Sequence, residues 1–545
     1  MRAEAEAERA RTARTWTLAA FAALSVLFSG TFPPFSNPNE LSRFEAVVAA
    51  ADHGTFAIDS VIPVLGDHED KSLSGGRTYS NKAPGLALAA VPVYKLLRLV
   101  FPPPSAPSAP VFWALRVLTV SLVCVLALAR LGRRLASGGN SAVAPLVLIA
   151  IAFGTPYLFF ARSFFAHAWT AALLFLSWDL LRVAEERRGA DRSAGLLLAA
   201  AAGFLAGWAA ISEYTVAPLA LLLCIRAAAG RAWRPLVLFG LGLAVPVAAL
   251  AAYDAVCFGS PWVLSSAREA YPAYGRLSAT GLFGFGPPSA AVAAAYLLHP
   301  ARGALLFSPF LAWAVSGFLR WWRSREDRAD CAFALAATAV YFVLMTGYPN
   351  WHGGWSLGDR YLLPIVFFPA LSLPRALASP LSRGLFAAAV VLSVATHLLL
   401  SSSWPYFPDN VPYPAATGSV WFLARGWLAP SAFDGLPFGG ALALAVAVLA
   451  VAAALARSLR CASPMTPRPV LAALLGLAPL LALCLRPPEL SFGGRLWRAA
   501  IYGAYSGRDP ERRELSDVAL TATTPQERRM AAGAWRAYGP GGGEP

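Results

Sequence analysis

The chain has 545 residues, of which 57% are hydrophobic, with a mean hydropathy of +0.54 and a net charge of +15. This composition is too apolar for a soluble globular protein. Apolar runs of about 17 to 22 residues recur along most of the chain, and each could cross a hydrocarbon core as a helix. The runs lack the alternation of a membrane barrel. We therefore predict an all-α, polytopic helical membrane protein with about 13 transmembrane helices.

The positive charge does not indicate nucleic acid as a partner. The arginines cluster in short loops at alternate ends of the apolar runs, as signals of membrane orientation do. The six cysteines occur singly and without metal-ligand spacing, so no disulfide framework is expected. The predicted surroundings are therefore a lipid bilayer.

The arginine pattern predicts the orientation and the domains of the chain. Residues 1–14 are charged and precede an apolar run without a cleavage site, which is typical of a cytoplasmic tail before an uncleaved span. Residues 15–485 form the predicted transmembrane domain. An odd number of crossings makes residues 486–545 an external tail, partly disordered because its end is rich in Gly and Pro.

The first external loop, residues 32–85, is a polar segment in an otherwise apolar chain. The three lysines of the protein, Lys71, Lys82 and Lys95, lie in it or just beyond it. Residues 83–101 are apolar enough to span the membrane, but a crossing there would invert the arginine bias of the later loops. We predict a juxtamembrane helix for this segment and a second crossing at residues 111–131.

Two stretches of this loop combine charge with turn-forming residues. The first precedes an amphipathic helix that is predicted to end at His53-Gly54, and the second begins the juxtamembrane helix. Cations at the lipid boundary suit a substrate with an anionic headgroup and an apolar tail, and a carboxylate can act as general base on a hydroxyl. The alternative is an ion pair at the start of a helix with a lysine that extends to the interface. The candidate residues are Asn39, Glu40, Arg43, Tyr79, Asn81 and Lys82.

Later candidates lie at the outer ends of apolar runs. Glu213 is a charge within the membrane boundary, where charge is costly and often functional. Arg360, flanked by Asp359 and Tyr361, could clamp a phosphate, or could pair with its neighbour or with lipid headgroups. His352 could bind a sugar or a phosphate, or could anchor its loop at the interface.

The order of these elements resembles the GT-C membrane glycosyltransferases. The resemblance rests on a carboxylate-bearing loop after the first span, in-plane helices, the element Asn81-Lys82-Ala83-Pro84 and a span that opens with Ala114-Leu115-Arg116-Val117. It is strongest toward the aminoarabinose transferase and protein O-mannosyltransferase branch. Residues 299–309 and 351–364 resemble recurrent elements of bacterial members.

The resemblance implies transfer of a sugar from a polyprenyl-phosphate-linked donor to a glycan, lipid or protein acceptor, with inversion. The active site would face the periplasm or exterior of a bacterial inner (plasma) membrane. Lys82 matches the phosphate-binding lysine of the family, whereas Asn39 stands where the family has its aspartate, which leaves Glu40 as the expected base. Asn81 replaces a frequent carboxylate, and His167 corresponds loosely to a further acidic residue. Fewer carboxylates favour a reaction without a metal cofactor, with a divalent cation as the alternative.

Two other classes of function stay open. A secondary transporter or lipid flippase would show charges at mid-span and a repeated half, but polar residues here lie mainly in external loops and no repeat is visible. A non-catalytic member that binds lipid-linked sugar is consistent with asparagine at position 39.

Overall fold

The computed structural model describes residues 2–32, 37–137, 141–187, 192–230, 232–279, 281, 284–324, 327–462 and 468–540. Helices dominate this part of the chain, and its two strands form one small sheet. The predicted all-α architecture of a polytopic membrane protein is therefore confirmed.

The helices of the first half are α1 Arg2–Leu27, α2 Pro38–Asp52, α3 Ile62–Leu65, α4 Gly85–Leu97, α5 Pro110–Arg116, α6 Leu122–Ala136, α7 Ala144–Phe153, α8 Tyr157–Ala161, α9 Ala166–Glu186, α10 Arg192–Ser212, α11 Ala217–Ala229, α12 Trp233–Phe258 and α13 Pro272–Ser278. Those of the second half are α14 Ala290–Leu298, α15 Ala304–Phe307, α16 Trp313–Ser324, α17 Arg328–Thr346, α18 Phe367–Ala370, α19 Leu373–Ala376, α20 Pro380–Ser401, α21 Val420–Ala424, α22 Gly439–Ala462, α23 Arg468–Leu485, α24 Phe492–Tyr505, α25 Arg513–Ala519 and α26 Pro525–Tyr538. The strands are β1 Lys71–Ser74 and β2 Arg77–Ser80.

Six helices among the described residues are long and apolar enough to cross a membrane, by length and composition. Several other apolar runs are broken into shorter helices, as between α7 and α8, where the helix stops at Gly154. The number of about 13 crossings stays a prediction. The six helices are Pro110–Ala136, Ser193–Ser212, Trp233–Phe258, Arg328–Thr346, Pro380–Ser401 and Gly439–Ala462.

Helix α2 follows the first span, as the sequence predicts. The side chain of Asn37 caps its first turn by accepting a hydrogen bond from the backbone N–H of Asn39, and Pro38 occupies the first helical position. The helix ends at Asp52, and Gly54 adopts a left-handed φ of +65° that lets the chain turn away. The cap and the proline therefore fix the start of α2 and with it the positions of the candidate residues Asn39 and Glu40.

A β-hairpin occupies the second half of the first external loop. Strands β1 and β2 pair antiparallel, and Gly75 and Gly76 form the turn with φ values of +56° and +74°. Two consecutive positive φ angles suit a tight hairpin turn, in which glycine is unstrained. The sequence prediction contained no strand, although two glycines between short polar runs are a known hairpin signal.

The hairpin joins the first external loop to the loop between α12 and α14. The hydroxyl of Ser72 donates to the carbonyl of Ser265 at 2.7 Å, and the hydroxyl of Ser265 donates to the carbonyl of Asn81 at 3.0 Å. The backbone N–H of Ala270 donates to the carbonyl of Lys71 at 2.8 Å. Residues almost 200 positions apart in sequence therefore surround the end of β2.

Helix α4 corresponds to the predicted juxtamembrane helix and packs against α2. The hydroxyl of Tyr94 donates to the carboxylate of Asp52 at 2.8 Å. The helix starts close to α10, since a Cβ at Gly85 would lie 2.4 Å from the hydroxyl of Ser212. Glycine is required there because any side chain would separate the two helices.

The C-terminal segment contains three helices that pack together. Helices α24, α25 and α26 share a small hydrophobic core. They also contact the external loops, with Arg425 paired to Glu514 at 2.7 Å and the rings of Trp355 and Trp497 5.8 Å apart. Residues 492–538 thus form helices around a core to which an apolar face of α24 contributes, and the partly disordered external tail stays a prediction. Residues 541–545 lie outside the described residues.

Candidate functional site

Two cations selected from the sequence line one pocket. Arg43 on α2 and Lys82 after β2 contribute charged groups to its lining, which also includes apolar residues of α2 and α4. The pocket contains about 300 Å³ of empty space, part of it open to solvent. The apolar wall includes Ala46, Ala87, Leu88 and Val91. The arrangement offers positive charge beside a surface suited to hydrocarbon.

Arg43 is a buried cation, with 3% of its surface exposed. One terminal nitrogen donates to the carbonyl of Asn39 at 2.9 Å and also to the side-chain oxygen of Asn39. Its Nε has no partner, and no carboxylate of the described residues lies within 4.0 Å of the guanidinium. Burial lowers the pKa of Arg43 to about 10, although Glu213 and Asp70 act in the opposite direction. A buried charge without a direct counter-ion is costly unless an anion joins it.

Lys82 has a carboxylate partner that the sequence alone gives no reason to choose. Its Nζ lies 2.9 Å from Oδ1 of Asp70, which is 8% exposed. Burial acts to raise the pKa of Asp70, but Lys82, His68 and Asn81 together outweigh this effect and the net pKa is lowered. Asp70 and Lys82 are twelve positions apart and meet because the hairpin folds back between them.

A second unforeseen carboxylate comes from the loop after α12. The side-chain nitrogen of Asn81 donates to Glu269 at 2.8 Å and, at 3.5 Å, to Asp70. Burial raises the pKa of Glu269 to about 7, although the Asn81 hydrogen bond and the charge of Lys82 oppose this shift. Glu269 therefore changes its charge near neutral pH, beside the amine of Lys82.

The other polar group at this end of the bundle combines Arg360, His167, Glu213 and Tyr361. Nδ1 of His167 lies 3.3 Å from Oε2 of Glu213, and the His167 ring packs edge-on against Tyr361. Arg360 lies over the ring of Tyr361 at 5.1 Å, and no carboxylate of the described residues lies within 4.0 Å of its guanidinium. Burial raises the pKa of Glu213, while the charges of Arg43, Arg360 and Lys82 act to lower it. The two groups are thus close enough to interact electrostatically.

Glu40 has fixed partners in the structure. It is 5% exposed, and its Oε1 accepts from Nε of Arg116 at 3.0 Å and from the backbone N–H of Phe164. The same arginine donates to the carbonyl of Ser29 at 3.0 Å. The geometry favours a role in joining α2 to α5 and to the loop before α9, in place of the free base expected from the sequence.

Two further candidates do not line the Arg43–Lys82 pocket. Tyr79 packs in a small apolar cluster with Tyr253 and Phe258. His352 accepts a hydrogen bond from the backbone N–H of Gly354 at 3.2 Å, and its carbonyl accepts from Arg302. Packing and loop structure account for these contacts.

In the described part of the chain, no group of three or more His, Cys, Asp or Glu side chains is arranged to hold a metal ion. Asp70 and Glu269 bring carboxylate oxygens together, and the side-chain oxygen of Asn81 is buried without a partner. Such oxygens suit a hard cation. Lys82 and the Asn81 amide already bind both carboxylates.

The fold and site define a polytopic helical membrane protein with a cationic pocket at one end of the helix bundle. No family model and no curated protein matches the chain. Among solved structures, it is similar to ArnT from Cupriavidus metallidurans in the apo state, with 17% identity, a TM-score of 0.46 and coverage of 89% of this chain and 78% of ArnT. The undecaprenyl phosphate complex of ArnT matches with 16% identity and the same TM-score over 94% of this chain and 88% of ArnT.

The chain is also similar to the archaeal oligosaccharyltransferase AglB from Archaeoglobus fulgidus, in complex with an inhibitory peptide and a dolichol-phosphate. The identity is 14%, the TM-score is 0.41, and the match covers 94% of this chain and 60% of AglB. Overlaps at this level assign no role to any residue, so the side chains of the site have to support the function.

Proposed function

We propose that this protein is a membrane glycosyltransferase that takes its sugar from a polyprenyl-phosphate-linked donor on the external face of the membrane. The observation that supports the proposal is a pair of guanidinium groups, that of Arg43 buried and that of Arg360 half-buried, without a carboxylate within 4.0 Å among the described residues. Lys82 adds a third positive charge. Guanidinium and ammonium groups are the usual protein ligands of phosphate.

The surroundings of these cations favour a lipid phosphate over a soluble one. Ala87, Leu88 and Val91 of α4 line the same pocket as Arg43 and Lys82. The phosphate would bind at the cationic end, and the first isoprene units would lie along α4. Burial of hydrocarbon on this wall would add affinity that a free phosphate lacks.

The reaction divides into stabilisation of the leaving group and activation of the acceptor. The bond between the anomeric carbon and the phosphate oxygen breaks, and the three cations stabilise the charge that develops on the phosphate. An acceptor hydroxyl of a glycan, lipid or protein attacks the opposite face of the sugar, which inverts the anomeric centre. We assign the acceptor proton to Glu213, because its pKa is raised by burial and it lies beside the cations.

A non-catalytic protein that binds lipid-linked sugar is the second candidate. Asn39 cannot act as a base, and the neighbouring Glu40 is paired with Arg116. This candidate predicts binding of the donor without transfer, so parallel measurements of binding and transfer separate the two functions.

Binding of undecaprenyl phosphate tests the proposal directly. We expect the full-length protein in phosphatidylcholine nanodiscs to bind this lipid, and Arg43→Gln to weaken binding at least about tenfold because a charge-assisted contact is lost. Arg320→Gln, at an exposed position of α16, is the matched control and should bind like the wild type. Equal affinity of the Arg43 and Arg320 variants would refute the phosphate site.

The affinity for this lipid should also depend on the charge of Glu269. Its pKa of about 7 means that the carboxyl group is largely neutral at pH 6 and negative at pH 8. The negative form offsets the charge of Lys82, so Glu269→Gln should bind undecaprenyl phosphate roughly three- to tenfold more tightly than the wild type at pH 8 but similarly at pH 6. The quantity compared is the ratio of the affinities of the Glu269→Gln and wild-type proteins at each pH. The ligand phosphate titrates equally in both measurements, so its titration cancels in this ratio. A ratio independent of pH would contradict the assigned charge change.

A further inference from the structure

A second pocket lies near the first turn of α2. It contains about 310 Å³ of empty space, part of it open to solvent, and its polar lining consists of Glu40, Arg116, Arg162, Ser163 and Tyr406. Rings including that of Phe159 form much of the rest. Glu40 precedes Arg43 by three residues, so the two pockets are separated by about one helical turn of α2.

Arg162 is the unusual residue of this pocket. It is 6% exposed, and one terminal nitrogen donates to the carbonyl of Ser401 at 2.8 Å. That carbonyl is the only hydrogen-bond acceptor that the described residues provide for its guanidinium. The remaining contacts include the rings of Phe28 at 5.1 Å and Phe159 at 5.6 Å. No carboxylate in the described ranges lies within 4.0 Å.

Apart from Arg43, the other buried arginines of the described residues have a counter-ion or several backbone acceptors. Arg116 is paired with Glu40 at 3.0 Å, and Arg226 is paired with both Glu185 and Asp330. Arg302 lacks a carboxylate within 4.0 Å among the described residues and its Nε has no partner, but three backbone carbonyls accept hydrogen bonds from its terminal nitrogens. The guanidinium of Arg162 has one carbonyl as hydrogen-bond acceptor, and it lines a pocket. A buried charge in that state is stabilised by an anion from outside.

We propose that this pocket is a second oxyanion site, in which Arg162 binds a phosphoryl group. The site is separate from the Arg43–Lys82 pocket and does not depend on the function proposed for that pocket. The group belongs either to a sugar phosphate, as part of an acceptor, or to a phospholipid headgroup. The aromatic walls suit a sugar ring, which stacks on such faces, and equally the glycerol end of a lipid.

The test uses the full-length protein in phosphatidylcholine nanodiscs, with Arg43→Gln present throughout so that the first pocket is disabled. Binding of glucose 6-phosphate is measured by calorimetry, with glucose as the uncharged comparison. Adding Arg162→Gln should weaken binding of the sugar phosphate at least about tenfold, because the charge-assisted contact is removed. Adding Arg320→Gln should leave it unchanged. Repeating the titration with phosphatidylglycerol in the nanodiscs distinguishes the sources, since a lipid occupant would compete only where Arg162 is intact.

Either Arg162-dependent binding of glucose 6-phosphate or Arg162-dependent competition by phosphatidylglycerol supports the site and names its source. Equal binding by the Arg162 and Arg320 variants, or no effect of either probe, overturns it. If Arg162→Gln does not give a monodisperse protein, Ala429→Phe replaces it, because Ala429 lines the same pocket and a larger side chain would fill it. The Ala429→Phe variant should lose binding of the sugar phosphate although Arg162 is in place.

The two proposed sites fail independently. Failure of undecaprenyl phosphate to bind the protein with an intact Arg43–Lys82 pocket would count against the donor site alone.

Discussion

Replacement of Lys82 by alanine should lower sugar transfer by roughly two orders of magnitude or more, because the leaving phosphate loses a cation worth about 3 kcal/mol in a partly dry pocket. The measurement is transfer of labelled sugar from a panel of undecaprenyl-phosphate-linked donors into membranes that contain the variant. The loss should appear in kcat as well as in donor affinity, since charge on the phosphate increases in the transition state.

Lys71→Ala is the matched control for this experiment. Lys71 lies on the same hairpin, but its amine pairs with Asp67, which is exposed, and it does not line the pocket. An exposed ion pair of this kind contributes little, so transfer should stay within about twofold of the wild type. If the two lysine variants lose activity equally, the effect belongs to the hairpin and not to phosphate binding.

Glu213→Gln should have the second large effect. It preserves the size of the side chain but removes its basicity, so turnover should fall by about 10² to 10⁴-fold while undecaprenyl phosphate still binds. Single-turnover transfer with saturating donor measures the chemical step, and lipid binding is measured in parallel. Glu69→Gln, at an exposed position in the first external loop, is the control and should transfer normally.

Glu40→Gln gives the contrasting result if Glu213 is the base. Breaking the buried pair with Arg116 leaves an uncompensated guanidinium, which costs about 3 to 5 kcal/mol. The variant should therefore unfold at a lower temperature, while the folded fraction transfers sugar better than Glu213→Gln does. A folded Glu40→Gln protein without transfer, beside an active Glu213→Gln protein, would return the role of base to Glu40.

Much of the scaffold follows from the sequence because its causes are local. Hydropathy over about 20 residues predicts membrane helices, and the residues of the first turn of α2 place its start within the first external loop. Arg43 and Lys82 could be selected together because cations in a polar loop beside an apolar helix suggest a lipid headgroup. In the structure these two residues line one pocket.

The partners of those residues depend on contacts between distant segments. Glu269 reaches Asn81 from 188 positions away, and Glu40 meets Arg116 across 76 positions. No local pattern distinguishes a free carboxylate from a paired one, since pairing depends on which helices pack together. The C-terminal helices show the same dependence, because their polar sequence gains stability from a shared core and from the external loops.

The sequence alone is sufficient to identify a helical membrane protein with a charged loop after its first apolar segment. Hydrophobic length and short-range capping are sufficient for those features. Only the tertiary structure decided which cations lack a counter-ion. Arg43, Arg162 and Arg360 look like the other arginines in sequence, but no carboxylate of the described residues lies within 4.0 Å of their guanidinium groups. Burial and the distance between charges, which local sequence does not specify, determine where an anion can bind.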